Sequence, residues 1–258
     1  MDRRLTGLDL KTSLSALADI VLPRVCVVCG RPLLLQEKHI CVCCLADLPE
    51  TCFAAQRSNQ MADRFNAAIS SSGFCPESES YEPYAYAAAL FYYSSDNGYS
   101  HITQALKYER NFGVGKFFAS MLGERLSESA LFADVDAVVP VPLHWTRRWS
   151  RGYNQAEVIA RKVARMLACP CASGLLRRVR RTSSQTRLSG EDKRSNVAGA
   201  FSVPDRARRL GNSPQHILLV DDVFTSGSTL AECHAALRSA FGPKTRISVA
   251  TLGFVGAP

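Results

Sequence analysis

Two sets of residues in this chain have the types and spacing to do chemistry. The first is Asp221-Asp222-Val223-Phe224-Thr225-Ser226-Gly227-Ser228-Thr229-Leu230. It follows a short apolar run, His216-Ile217-Leu218-Leu219-Val220, and leads into residues at helical spacing, Leu230, Cys233, Leu237 and Phe241. The order is strand, paired carboxylates, hydroxyl-rich loop with one glycine, then helix, and it suits a sugar phosphate. Carboxylates accept hydrogen bonds from vicinal ribose hydroxyls, while loop N–H groups, hydroxyls and the positive end of a helix hold phosphate. Paired acids after a strand also serve as Mg²⁺ ligands or as plain solvated strand ends, and a Thr-Ser-Gly-Ser-Thr loop can be a helix cap alone. The complete ordered string favours the phosphate reading.

The second set is sulfur. Cys26-x2-Cys29 is followed, after eleven residues, by Cys41-x2-Cys44. Two such turns present four thiolates to a tetrahedral Zn²⁺, and Gly30 stands where the first turn needs a positive φ. A module of this size has little apolar content, so a structural zinc would stabilise it directly. Disulfides are the competing reading, disfavoured by the absence of a secretion signal. Cys43 offers a third thiol in Cys41-Val42-Cys43-Cys44, where the spacing favours Cys41 and Cys44. His39 reads as a surface residue. Cys52 and Cys75 stand alone, and Cys169, Cys171 and Cys233 sit among apolar residues and read as core filling.

The net charge of +8 is concentrated. Between Leu143 and Arg194 there are thirteen Lys and Arg against three acids, whereas the rest of the chain has eighteen bases against twenty acids. A basic segment on a near-neutral body implies an anionic partner, either a polyphosphate or nucleic acid. Trp145, Trp149 and Tyr153 supply thin aromatic interleaving for single-strand stacking. No stretch approaches the roughly 20 apolar residues of a membrane span, and the interleaved Leu8, Leu10, Leu14, Leu17, Ile20 and Val21 read as an amphipathic helix. Cytoplasmic location is the expectation.

The elements that must position these residues follow from periodicity. Residues 1–24 read as a helix and 25–50 as the cysteine module, together one unit over 1–50. Residues 51–83 read as an irregular connector. From 84 to 258 strand and helix patterns alternate. Ala87 to Tyr93 suits an early strand, alone or in an edge hairpin. Ile102 and Leu106, then Phe117, Met121, Leu122 and Leu126, then Val158, Ile159, Val163, Met166 and Leu167 mark helices. Val135 to Val139, Ile217 to Val220 and Ile247 to Leu252 mark strands. Such alternation predicts an α/β fold with a mainly parallel sheet and a ligand at the carboxyl ends of its strands.

Further segments suit a diphosphate. Arg147, Arg148 and Arg151 lie in a loop between a strand and a helix, where guanidinium forks match phosphate oxygens. Arg147 and Arg148 read equally well as a solvated helix face. Arg180 to Gly190 is polar and basic, as expected of a mobile loop that closes over a ligand, and Arg194 to Phe201 re-enters the body.

The Asp221 to Thr229 string resembles the phosphoribosyl pyrophosphate (PRPP) motif of type I phosphoribosyltransferases, with Ser226 in place of the usual second Thr. The wider ordered set resembles the ComF family: Cys26-x2-Cys29 with Cys41-x2-Cys44, Leu106-Lys107-Tyr108, Val139-Pro140-Val141-Pro142, Arg151-Gly152-Tyr153-Asn154-Gln155, Gln185-Thr186, Arg194-x-Asn196 and the Asp221 to Thr229 string. The resemblance runs from about residue 25 to 252. It implies a type I phosphoribosyltransferase-like parallel sheet flanked by helices, with a small N-terminal zinc-ribbon module. Asp221 and Asp222 would bind ribose hydroxyls, directly or through Mg²⁺. Thr225, Ser226, Gly227, Ser228 and Thr229 would bind the 5′-phosphate, and Arg147, Arg148 and Arg151 the pyrophosphate. Family members are associated with DNA uptake, so competence-machinery partners are implied. The activity is either transfer of ribose 5-phosphate to an acceptor, or non-catalytic PRPP sensing joined to single-stranded DNA binding. Many relatives carry a second cysteine pair, which here has shrunk to Cys52 and Cys75, so one zinc is expected.

Overall fold

Four of the apolar runs pair side by side in one parallel sheet. A computed structural model describes residues 23–70, 83–143, 152–179, 199–205 and 214–257. In chain order its elements are α1 (Val42–Ala46), α2 (Gln60–Ser70), β1 (Ala87–Tyr92), α3 (Ser100–Tyr108), α4 (Phe112–Ser127), β2 (Ala137–Pro140), α5 (Gln155–Met166), β3 (Arg177–Arg178), β4 (Phe201–Ser202), β5 (His216–Phe224), α6 (Ser228–Phe241) and β6 (Arg246–Phe254). The sheet order is β1-β6-β5-β2, and β3 pairs with β4 in a separate antiparallel ribbon. Ala87–Tyr92 is thus a parallel edge strand and not half of a hairpin.

Alternation along the strands decides the layers. Leu218, Val220, Ala250 and Leu252 point to one face and pack with Phe118 and Leu122 of α4 and Ile159 and Val163 of α5. Ile217, Leu219, Ile247 and Val249 point to the other and pack with Met61 and Phe65 of α2 and Cys233 and Leu237 of α6. Both faces are covered, which is why these strands read as continuous apolar runs. Each of these fully buried large side chains contributes roughly 1.5–3 kcal/mol of transfer free energy.

Two expectations need correction. Residues 51–70 are not an irregular connector. Met61, Ala62, Phe65 and Ile69 fall on one face of α2 at helical spacing and are buried. The single-face pattern is short and its flanks are polar, which hid it in the sequence. The second correction concerns the two acids, expected after a strand ending at Val220. They lie inside β5, because β6 extends to Phe254 and keeps its pairing, Asp221 opposite Thr251 and Phe224 opposite Phe254. On the other side the pairing with β2 ends at Pro140 opposite Val220.

The cysteine module is not a separate core. Cys26, Leu33, Ile40, Cys41 and Leu48 belong to the same buried cluster as α4 and α5. The Tyr99 hydroxyl, at the start of α3, donates to the Cys44 carbonyl at 3.0 Å. The amphipathic helix expected over residues 1–24 lies almost wholly outside the described residues.

Candidate functional site

The chain leaves β2 and β5 towards opposite faces. After β2 it enters α5, on the α4 side; after β5 it enters α6, on the α2 side. Neighbouring parallel strands whose connections diverge leave a crevice at their carboxyl ends, and ligands of open α/β sheets bind there. Asn154 shapes the β2 side. Its Nδ2 donates to the Val141 carbonyl at 2.9 Å, and its Oδ1 accepts from the Ala156 N–H at 3.2 Å, capping α5.

On the β5 side stand Asp221 and Asp222, both partly exposed. Each carboxylate accepts from the N–H of the next residue at 2.9 Å, which fixes its direction. The Lys107 ammonium, at the end of α3, lies 2.5 Å from Asp222 Oδ2. Desolvation pushes Asp221 up to about 8, reinforced by the charge on Asp222. Burial alone would discharge Lys107, but Asp222, helped by Asp221, holds its ammonium above the ordinary lysine value. Two adjacent acids thus face one cation, and a proton on Asp221 relieves the charge between them until a cation displaces it. A divalent cation, with hard oxygen ligands on offer, fits this donor set.

The Thr225–Gly227 loop completes the wall. Thr225 and Ser226 are exposed, and the Ser226 and Ser228 hydroxyls lie 2.9 Å apart. Gly227 has φ 75° and ψ −5°, with no side chain capping α6 there. A Cβ at this position would come within 2.7 Å of the Phe224 ring, so both conformation and space require glycine. The first N–H groups of α6 have no intrahelical acceptors and face outward with the positive end of the helix dipole. Together these groups can hold a phosphate one loop away from a pair of carboxylates.

Arg147, Arg148 and Arg151 lie outside the described residues, as does the whole basic loop from Arg180 to Asn196. The ends of that loop are held by the β3–β4 ribbon and by Glu232 of α6, whose Oε2 accepts from the Gly199 N–H at 3.1 Å. Two cations that carried no role in the sequence do reach the crevice region. Lys107 lies in Leu106-Lys107-Tyr108, and nothing in its spacing points to Asp222, 115 residues away. Arg110 has φ 52°, and its guanidinium lies about 3.5 Å from where a Cβ on Gly152 would stand. The pairing of Phe112 with Tyr153, ring centroids 4.7 Å apart, and the Tyr153 hydroxyl donating to the Leu106 carbonyl bring these segments together.

The four cysteines converge as their spacing predicts. The Sγ atoms of Cys26, Cys29, Cys41 and Cys44 all lie within 4.8 Å of one another, and Cys29 and Cys41 are 3.9 Å apart. A tetrahedron with Zn–S bonds of about 2.3 Å has edges of about 3.8 Å. The Cys41 N–H donates to Cys26 Sγ and the Cys44 N–H to Cys41 Sγ, each at 3.4 Å. Burial opposes a thiolate at Cys26, yet backbone donors from Cys29, Cys41 and Val28 bring it down to about 7. Burial and the neighbouring sulfurs push Cys44 up. Four thiols so placed cannot all ionise without a cation between them, and the cluster fits a zinc ribbon. Gly30 has φ 72°, as the turn requires. His39 is half-buried against Phe117 and is not part of the cluster, nor is exposed Cys43.

A third constellation imitates an active site. His216 Nδ1 is 2.6 Å from Asp134 Oδ1, and its Nε2 is 2.8 Å from Ser248 Oγ. This is the order of a nucleophilic triad. Ser248 is 0 % exposed and already accepts from the Tyr86 N–H at 3.1 Å, so no substrate reaches it. It lies at the amino end of the sheet and ties strands together.

No family model matches the chain. Over 142 residues it is 33% identical to Competence protein F of Haemophilus influenzae, covering 54% of this chain and 61% of that protein. Over 97 residues it is 38% identical to the DNA utilization protein YhgH of Salmonella typhi and 37% identical to that of Escherichia coli, covering 38% of this chain and 40% of each relative. The matches therefore span less than two thirds of these relatives' own lengths. No helix among the described residues is long and apolar enough to cross a membrane.

Proposed function

Because this chain belongs to the ComF family, whose relatives carry competence and DNA-utilization names, we propose that it binds PRPP with Mg²⁺ at the carboxyl end of β5. We place it in DNA uptake or nucleotide metabolism. One observation carries the ligand reading: an electron-rich acid pair and an uncapped helix N-terminus stand on either side of one hydroxylated loop, at the point where connections diverge. A ligand for that arrangement needs vicinal hydroxyls or a metal at one end and a phosphate at the other.

Asp221 and Asp222 would hold Mg²⁺ or the ribose hydroxyls; when bound, the metal would neutralise developing charge on the departing pyrophosphate. Thr225, Ser226, Gly227, Ser228 and Thr229 grip the 5′-phosphate through N–H groups and hydroxyls. Lys107 is the resident cation of Asp222 in the ligand-free protein and stands within reach of an incoming anion. Arg147, Arg148 and Arg151 are the pyrophosphate candidates. Transfer, where it occurs, breaks the bond from ribose C1 to the pyrophosphate oxygen and forms one to an acceptor nucleophile. Most of its acceleration would come from positioning and charge stabilisation. Cys26, Cys29, Cys41 and Cys44 hold a structural zinc, and elemental analysis of the purified chain should find about one per molecule.

Calorimetry with PRPP and Mg²⁺ tests the site. The parent chain should bind and the double variant Asp221→Asn/Asp222→Asn should not; a parent chain that fails to bind removes the assignment. A pyrophosphate-release screen over candidate bases and amines then separates a transferase from a PRPP sensor.

A further inference from the structure

A cavity of about 490 Å³ opens between α4 and α5, and it shares no lining residue with the acid pair. Lys116 comes from α4, Arg161, Lys162 and Arg165 from α5, and His39 from the cysteine module. No acid lines it. Among the described residues Arg161 alone of the four cations has an acidic partner, Glu157 at 2.6 Å. Arg161 and Arg165 are one helical turn apart, about 6 Å along the axis, so like charges are stacked where a counter-anion would relieve them. Positive charge gathered in a cleft with low-dielectric walls focuses its field outward.

The floor of the groove is aromatic. Phe117 is half-buried and held edge-on by Phe118, with ring centroids 5.2 Å apart, and by His39 at 5.8 Å. The contributing stretches are about two turns of each helix, roughly 10 Å long. The groove follows the seam between two packed helices, a footprint that matches a short length of extended strand. Cations along a narrow groove with an aromatic ring at its base make the arrangement that binds single strands, phosphates on the rim and a base against the ring.

We propose that this groove binds the phosphodiester backbone of single-stranded nucleic acid. The site is separate from the crevice at β5 and stands or falls independently of the PRPP reading. It differs also from the sequence expectation, which placed nucleic-acid contact in the basic segment as a whole, because Lys116 and His39 come from outside that segment.

The test is fluorescence anisotropy of a labelled oligo-dT with the full chain over a salt series. The parent should bind with a log–log salt slope of about −0.7 per phosphate neutralised. The variant Lys116→Gln/Lys162→Gln/Arg165→Gln should bind at least about tenfold more weakly, with a slope shallower by about two. Arg125→Gln, a cation paired with Glu50 elsewhere on the surface, should behave as the parent. Circular dichroism checks folding, and Arg165→Gln alone, at an exposed position, gives a mild variant that should lower the slope by less than one phosphate. PRPP binding by the triple variant and oligo-dT binding by Asp221→Asn/Asp222→Asn should both persist, which keeps the two sites apart. Inorganic pyrophosphate and ATP form a competing arm: weak competition supports a strand site. Binding of those small polyphosphates without oligo-dT, equal affinity of parent and triple variant, or no oligo-dT binding by the parent would each overturn the proposal.

Discussion

The two ends of β5 carry the same kinds of residue in opposite conditions. At its amino end His216 is 1 % exposed, and both ring nitrogens have partners, Asp134 and Ser248. Arg246 adds a second contact to Asp134 at 3.6 Å and lies over the Tyr86 ring. At its carboxyl end Asp221 and Asp222 stand beside one cation, Lys107, and burial with the charge on Asp222 raises Asp221 to about 8. One end is a closed circuit of donors and acceptors; the other has charge and N–H groups left over. Geometry alone would have nominated the amino end as the active site, since it has the triad order. Unmet demand, and not pattern, singles out the carboxyl end as the candidate ligand site.

The largest effect should come from breaking the satisfied end. His216→Ala removes a buried ring and leaves Ser248 and Asp134 without their shared partner, which should cost roughly 2–4 kcal/mol of stability by urea titration. PRPP affinity should be unchanged, measured at a temperature where the variant is folded. Lost affinity in folded protein would mean that the two ends are coupled and the contrast fails.

At the other end, Lys107→Met should destabilise the ligand-free protein by roughly 1–2 kcal/mol, because Asp222 loses its cation while remaining partly solvated. Millimolar Mg²⁺ should then raise the melting temperature of this variant more than that of the parent, since the metal replaces the missing charge. Equal shifts would show that Lys107 and the metal do not share a seat. Gly227→Ala should cost roughly 1–2 kcal/mol through its positive φ and the Phe224 ring 2.7 Å away. Ligand affinity should fall with it, as the loop that carries Ser226 and Ser228 moves; calorimetry at matched folded fraction reads this directly.

The contrast also explains what could be read in advance. The layered sheet was legible because β5 and β6 are apolar on both faces, and helix spacing at Leu122, Leu126, Ile159 and Val163 matched that demand. The cysteine cluster was legible because tetrahedral coordination imposes local spacing. The Asp221 to Thr229 string was legible because strand, loop and helix start lie within a dozen residues. Helix α2 was not, since its apolar face spans only Met61 to Ile69. Lys107 and Asp134 were not, since each meets its partner across a long stretch of chain and only the fold sets that distance. The groove at Lys116 was missed for the same reason: one of its four cations and its aromatic ring sit on α4, outside the basic segment.

The smallest expected effect gives the sharpest separation, because the two ends should respond to pH with opposite sign. Burial keeps the folded pKa of His216 below its ordinary value, despite Asp134. The unfolded chain therefore binds more protons at this residue, and stability from it is present above about 6.5 and lost as pH falls through the folded value. Asp221 is raised, to about 8. There the folded chain binds more protons, so stability is full below the unfolded value near 4 and declines as pH rises through about 8. Asp221→Asn removes that decline while leaving a neutral group of the same shape. Its stability should match the parent near pH 4 and exceed it by about 1 kcal/mol at pH 8, in the absence of ligand. A variant that gains stability while losing PRPP binding would show that the acid is retained for its ligand at a cost to the fold. A variant less stable than the parent at pH 8 would mean that Asp221 is as well satisfied as His216, and the two ends of β5 would no longer differ.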